Sequence, residues 1–213
     1  MGGQLQDNRN VAALFLDDGS YWLVIADHEN EQQNQQSRLN IIQGLMNRNG
    51  ALVSERSQDI TDSIVKNLVI NGSVLPKTSM KLNVLYENGT HLAADLNYDD
   101  SYDYDKKPNL GLIAGSYSGK IQTHQGVEPI SFDISQTGEI KSKNPLVCQF
   151  SGNAKVRPNG NLYSMDVEIS NGQCQTNQRS IKAIAVYDKE EKEIVAIAEN
   201  GRESGFILSA TKF

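Results

Sequence analysis

Short apolar runs with period-two alternation recur about every 8 to 15 residues along this chain, with Gly, Asn and Asp clustered between them. Period two places alternate side chains on opposite faces of an extended backbone, and Asn, Asp and Gly tolerate the positive φ that tight reversals demand. The pattern predicts antiparallel β-structure and leaves little room for helix.

In the first half strands are expected at 11–16, 21–26, 40–46, 51–54, 65–74, 80–86 and 91–97. Asp17-Asp18-Gly19, Asn47-Arg48-Asn49-Gly50 and Glu87-Asn88-Gly89 supply hairpin chemistry between them. In the second half strands are expected at 116–123, 130–135, 139–141, 147–156, 162–169, 179–187, 194–199 and 206–211. Their turns fall at Gln136-Thr137-Gly138, Arg157-Pro158-Asn159-Gly160-Asn161, Lys189-Glu190-Glu191-Lys192 and Asn200-Gly201. Eight short strands joined in order predict a meander that closes on itself, which removes the unpaired edges of an open sheet. The fold class is therefore all-β, with two antiparallel halves, the C-terminal one an eight-stranded meander barrel.

Four segments follow from this. Residues 1–9 read as an expression leader, Met1-Gly2-Gly3, and a disordered N-terminus; residues 10–98 form the first β domain. Residues 99–109 read as an acidic linker, polar and closed by Pro108, and residues 110–213 form the second domain. The stretch 27–38 contains no apolar residue and reads as an exposed loop, and Gln58–Ser63 as one helical turn capped by Asp59 or Thr61.

The 213 residues carry a formal net charge of −6, so phosphate-rich nucleic acid and anionic lipid find no broad basic surface. The longest apolar runs, near 11–16 and 194–198, fall far short of the roughly 20 residues of a membrane-crossing helix. The first eight residues lack the basic start and apolar stretch of a secretory signal, although a leader standing where a signal was removed takes the weight from that.

The cysteines, Cys148 and Cys174, have no second pair and no nearby histidine to complete a zinc site. They flank the turn at Pro158-Asn159-Gly160, so a hairpin there brings the two sulfurs into one neighbourhood. Two readings stand: a disulfide, which implies periplasm, cell surface or secretion, or two buried thiols in a reducing compartment.

Candidate sites are weak. Asp99, Asp100, Asp103 and Asp105 could offer carboxylate oxygens to Ca²⁺, but their spacing matches no EF-hand loop, and a solvated linker is the simpler reading. His28, His91 and His124 lack the close spacing of a metal site, and no cofactor motif is present. Ser116 and Ser118 stand between Gly115 and Gly119, but a nucleophile elbow leads from strand to helix, whereas here the segment leads into a strand. Tyr117 reads as a core aromatic. For recognition the candidates are Trp22, Tyr98, Tyr102 and Tyr104, since such side chains carry binding energy at small entropic cost. Tyr21 and Trp22 point to opposite faces of one strand, one toward the core and one outward.

Leu14-Phe15-Leu16-Asp17-Asp18-Gly19-Ser20-Tyr21-Trp22 with Ile42-Gln43-Gly44 resembles the opening of a group of uncharacterised Gram-negative surface or periplasmic lipoproteins. Ile113-Ala114-Gly115-Ser116-Tyr117-Ser118-Gly119, Cys148-Gln149-Phe150-Ser151-Gly152 through Cys174, and Gly205-Phe206-Ile207-Leu208 extend the likeness over nearly the whole chain. The resemblance implies tandem barrels, an extracytoplasmic place at the outer membrane, periplasm or cell surface, and a lipid-modified cysteine ahead of the mature domain. It attaches no catalytic residue. The functional expectation is a non-enzymatic binding or interaction module of the envelope, of adhesion, assembly or inhibitor type. The alternatives are a carrier of a small apolar ligand inside a barrel and, below it, an enzyme built from carboxylates on distant strands.

Overall fold

The computed structural model describes residues 1–6, 8–26, 39–46, 51–53, 57–59, 66–100, 102, 104–123, 126–143, 148–170, 180–200 and 204–213. The stretch 27–38, His28, His124, Asp103, Cys174 and most of the proposed helical turn lie outside them. The chain divides into two compact units, Met1–Ser101 and Tyr102–Phe213, with the division inside the expected linker.

The first unit holds β1 (Gly2–Leu5), β2 (Asn10–Phe15), β3 (Ser20–Ala26), β4 (Leu39–Met46), β5 (Ala51–Val53), β6 (Ser57–Asp59), β7 (Lys66–Leu75), β8 (Ser79–Tyr86) and β9 (His91–Asn97). They hydrogen-bond in the order β5-β4-β3-β2-β1-β9-β8-β7-β6, and a further β5–β7 pairing closes eight of them into a ring. Strict alternation makes this possible: along β8 the even positions Met80, Leu82, Val84 and Tyr86 are buried while Lys81, Asn83 and Leu85 face water. Tyr21, Leu23 and Ile25 of β3 fill the interior beside Ile42, Ile70 and Leu96. Tyr21 pairs across the sheet with Gly44, where a Cβ would collide with the Tyr21 ring, so the missing side chain is the ring's seat.

Two expectations are corrected here. Gly2–Leu5 is an ordered strand, not part of a disordered N-terminus; it sits between β2 and β9 and completes the ring. Leu5 is buried, and Gly3 lies so close to Asp95 and Leu96 of β9 that a side chain there would meet Leu96 Cδ2 at 2.8 Å. Ser57–Asp59 is a strand paired with β7 rather than the start of a helical turn.

The second unit opens with one helical turn, α1 (Leu110–Ile113). The strands β10 (Gly115–Thr123), β11 (Gly126–Ile134), β12 (Glu139–Ser142), β13 (Phe150–Val156), β14 (Tyr163–Ile169), β15 (Ser180–Asp188), β16 (Glu193–Asn200) and β17 (Ser204–Lys212) follow. These eight form a closed antiparallel meander barrel, with β17 returning to pair with β10 from Thr123↔Phe206 to Tyr117↔Lys212. The expected turns at Gly138 and Gly160 are found, with φ +87° and +78°, values open to glycine at no steric cost, while Gly201 of the Asn200-Gly201 turn lies outside the described residues. The hairpin at Pro158 is closed by Arg157 N donating to Leu162 O at 3.0 Å. Inside, Tyr117 stacks on Phe132 with centroids 5.1 Å apart, and Phe132 meets Phe150 at 6.1 Å.

Candidate functional site

Strand register sets the outer face of β12, β13 and β14. Glu139 pairs with Asn153 and Asn153 with Asp166; one step along, Lys141 pairs with Ser151 and Ser151 with Glu168. Because inward positions alternate with these, the polar side chains share the exterior. They border a groove of ≈ 570 Å³ lined by Thr137, Glu139, Ile140, Ser151, Gly152, Asn153, Asp166 and Glu168.

Lysines stand at its margin. Lys141 Nζ lies 2.8 Å from Glu139 Oε1 and Lys155 Nζ lies 3.7 Å from Asp166 Oδ2. All four side chains are at least half exposed, so these pairs are each worth about 0 to 1 kcal/mol and do not remove the groove's acidic character. The groove offers carboxylate, amide and hydroxyl acceptors without a nucleophile and base in hydrogen-bonding reach of each other. Its chemistry suits a polar, cationic group.

A second polar cluster joins β10 to β11. The Ser116 hydroxyl donates to Asp133 Oδ1 at 2.6 Å, and Lys143 Nζ donates to Ser116 Oγ at 3.1 Å while lying 3.2 Å from Asp133 Oδ1. The Ser116 hydroxyl, foremost, and the Lys143 ammonium hold the Asp133 carboxyl below the usual carboxylate range. Lys143 and Asp133 are both well exposed, 40% and 49% at their side chains. The arrangement is an exposed ion pair bridged by a hydroxyl.

The expected recognition aromatics divide between the two units. Tyr98 is half-buried in the first unit, its N–H donating to Thr78 O at 3.0 Å. Tyr102 and Tyr104 belong to the second unit and are bound to its β13–β14 hairpin. The Tyr102 hydroxyl donates to Asn161 O, Asn161 N donates to Tyr104 O at 2.8 Å, and the Tyr104 ring lies against Gly160. The part of the expected linker from Tyr104 onward is thus bound to the barrel rather than free, because the Tyr102 phenol and the Tyr104 carbonyl satisfy backbone groups the hairpin would otherwise leave to water. Trp22 does point outward, as alternation requires, but it is only 5% exposed and presents no open aromatic surface; Leu14 and Val24 make this face apolar around it.

Asp99, Asp100 and Asp105 are exposed, and among the described residues no cluster of three His, Cys, Asp or Glu side chains is placed to hold a metal ion. Cys148 is half-buried against the core of the second barrel and is not free; Cys174 lies outside the described residues. Inside the second barrel Tyr117, Phe132 and Phe150 pack with Met165 and Tyr163 among the core side chains.

Sequence reading missed the groove. Alternation marks Glu139, Asn153, Asp166 and Glu168 as outward, but only the strand register sets them side by side. No family model matches this chain, and neither a curated protein nor a solved structure shows significant similarity to it.

Proposed function

We propose that this chain is a non-enzymatic binding module of the bacterial envelope, lipid-anchored in its native form, that engages a partner through the outside of its barrels. The observation that carries this reading is the contrast within the second unit. Its core side chains point into the barrel, whereas the acid-lined groove over β12–β14 is an accessible concavity on its outside. The preferred partner presents lysine or arginine side chains to Glu139, Asp166 and Glu168. The resemblance to envelope lipoproteins supplies the compartment.

A photo-crosslinking residue at Ser151, in the full-length gene product in its native host, tests the contact. The expected result is a discrete adduct on the cell surface or in the periplasm that disappears when Glu139, Asp166 and Glu168 are changed to lysine. Absence of any adduct from Ser151, with adducts elsewhere on the barrel, overturns the groove. Recovery of the protein in the cytoplasmic fraction overturns the envelope assignment.

A further inference from the structure

The stretch Tyr104–Ala114 closes the end of the second barrel at which β10, β12, β14 and β16 begin. Leu110 Cδ1 reaches Gly138 in the β11–β12 turn, Asn109 meets Tyr163 at the start of β14, and Leu112 meets Lys212 at the end of β17. Ile113 is fully buried in the barrel core, and Leu110 and Leu112 pack partly against it.

Three features set this stretch apart from the barrel it closes. The ring β10 to β17 is complete without it, since every strand already has two neighbours. Its helix is a single turn, held by Ala114 N donating to Leu110 O at 2.9 Å and an Asn109 cap on Gly111 N at 2.8 Å, and one turn has no stability of its own. Beyond the Ile113 anchor, its attachments are hydrogen bonds: Tyr163 OH to Asn109 O at 3.1 Å, Tyr117 OH to Ile113 O at 2.7 Å, and Lys212 Nζ to Leu112 O at 3.1 Å. Asp105, Lys106 and Lys107 are exposed. Segments that complete no ladder of the sheet open as cooperative units at lower free energy than the strands of the core.

We infer that Tyr104–Ala114 is a stopper that lifts off the second barrel as one cooperative unit while the barrel stays closed. Lifting vacates the seat of Ile113 and bares the phenols of Tyr117 and Tyr163, so the barrel acquires an opening at this end. The device does not depend on the acidic groove.

Amide hydrogen exchange on the unaltered chain, followed through sub-denaturing concentrations of urea, tests it. The Leu112 amide bonds to Asn109 O and the Ala114 amide to Leu110 O, inside the stopper. The Asn161 amide lies in the hairpin but bonds to Tyr104 O, whereas its neighbour Arg157 bonds within the hairpin to Leu162 O. The expected result is that Leu112, Ala114 and Asn161 exchange at one common opening constant with little urea dependence. Their exchange is about a hundredfold faster, relative to intrinsic rates, than that of Arg157 and the ladder amides of β10 and β16. Convergence of all these amides on the strongly urea-dependent opening of the whole barrel overturns the inference. So does independent exchange of Ala114 and Asn161, which would mark local fraying.

Discussion

Lys212 reaches across Gly115 to donate from its ammonium to the carbonyl of Leu112, 3.1 Å away. The carbonyls of a helix's last turn lack intrahelical partners, and a lysine brought from the final strand supplies one here. Gly115 has φ +153°, and a Cβ there would lie in the path of the Lys212 side chain. Gly115→Ala is expected to cost about 1 to 3 kcal/mol through backbone strain and loss of this bond. Lys212→Met should cost less. Urea melts of both and of the double variant decide the mechanism: the double variant should fall short of the sum, and strict additivity would remove Lys212 from the account.

Barrel closure rests on a different glycine. A Cβ on Gly119 would fall within van der Waals distance of Ser209 O and Ala210 Cα, backbone atoms of the neighbouring strand that cannot swing aside. Gly119→Ala is expected to cost about 2 to 3 kcal/mol through overpacking. Gly89→Ala, at φ +84° with nothing within 4 Å of the added carbon, should cost about 1 kcal/mol from conformation alone. Equal losses in the two urea midpoints would rule out the steric explanation.

Much of this fold was legible because period-two alternation and glycine turns are local signals. The strand containing Tyr117 and the reversals at Gly19, Gly89, Gly138 and Gly160 stand where those signals put them, each glycine with positive φ. Gly2–Leu5 escaped because Gly-Gly-Gln-Leu has no β-branched residue; it is a strand because β2 and β9 leave a gap of its width, a tertiary cause. Residues 110–113 are too few to show a helical period, although Asn109 before Leu-Gly-Leu-Ile is cap chemistry. Tyr102 and Tyr104 looked like linker residues because carboxylates surround them, and their hairpin partners lie more than 55 positions away, as the separation of 59 from Tyr102 to Asn161 shows.

Those tyrosines predict alkaline lability. Burial foremost, then the neighbouring Tyr163, Tyr104 and Asp188, push the Tyr102 phenol above its ordinary value; burial, then Tyr187 and Tyr163, do the same to Tyr117. A phenol raised in the folded state favours its neutral form there, so its contribution is complete below the unfolded value of about 10 and is lost as pH rises beyond it. Unfolding free energy from urea melts is expected to be level from about pH 8 to 10 and to fall above that. Tyr102→Phe should lower stability at neutral pH by about 1 kcal/mol and reduce the alkaline slope. An unchanged slope would show that this phenol does not contribute.

On the outer face, Ser116→Ala should raise the Asp133 pKa toward the ordinary carboxylate range, because the hydroxyl is the largest single cause of the depression, and Lys143→Met, which removes a hydrogen bond and a charge, should raise it too. The sign is opposite to that of the tyrosines: the contribution of Asp133 is present above the ordinary carboxylate pKa and lost as pH falls. Carboxylate NMR titration reads both variants. An Asp133 titration left unchanged by Ser116→Ala would remove the hydroxyl from the account.

The compartment turns on sulfur. Cys148 and Cys174 stand 26 positions apart, and cross-linking a loop of about that length stabilises a fold by about 3 to 4 kcal/mol on the chain-entropy model. Denatured, unreduced protein is expected to show no free thiol, and reductant should lower the thermal midpoint by about 10 °C or more, given the size of the second unit. Such a bond persists where the surroundings are oxidising, as in the envelope, and would tie the start of β13 to the connection between β14 and β15. Two titratable thiols in protein recovered from its native host would overturn the pairing and, with it, the chemical argument for an extracytoplasmic chain.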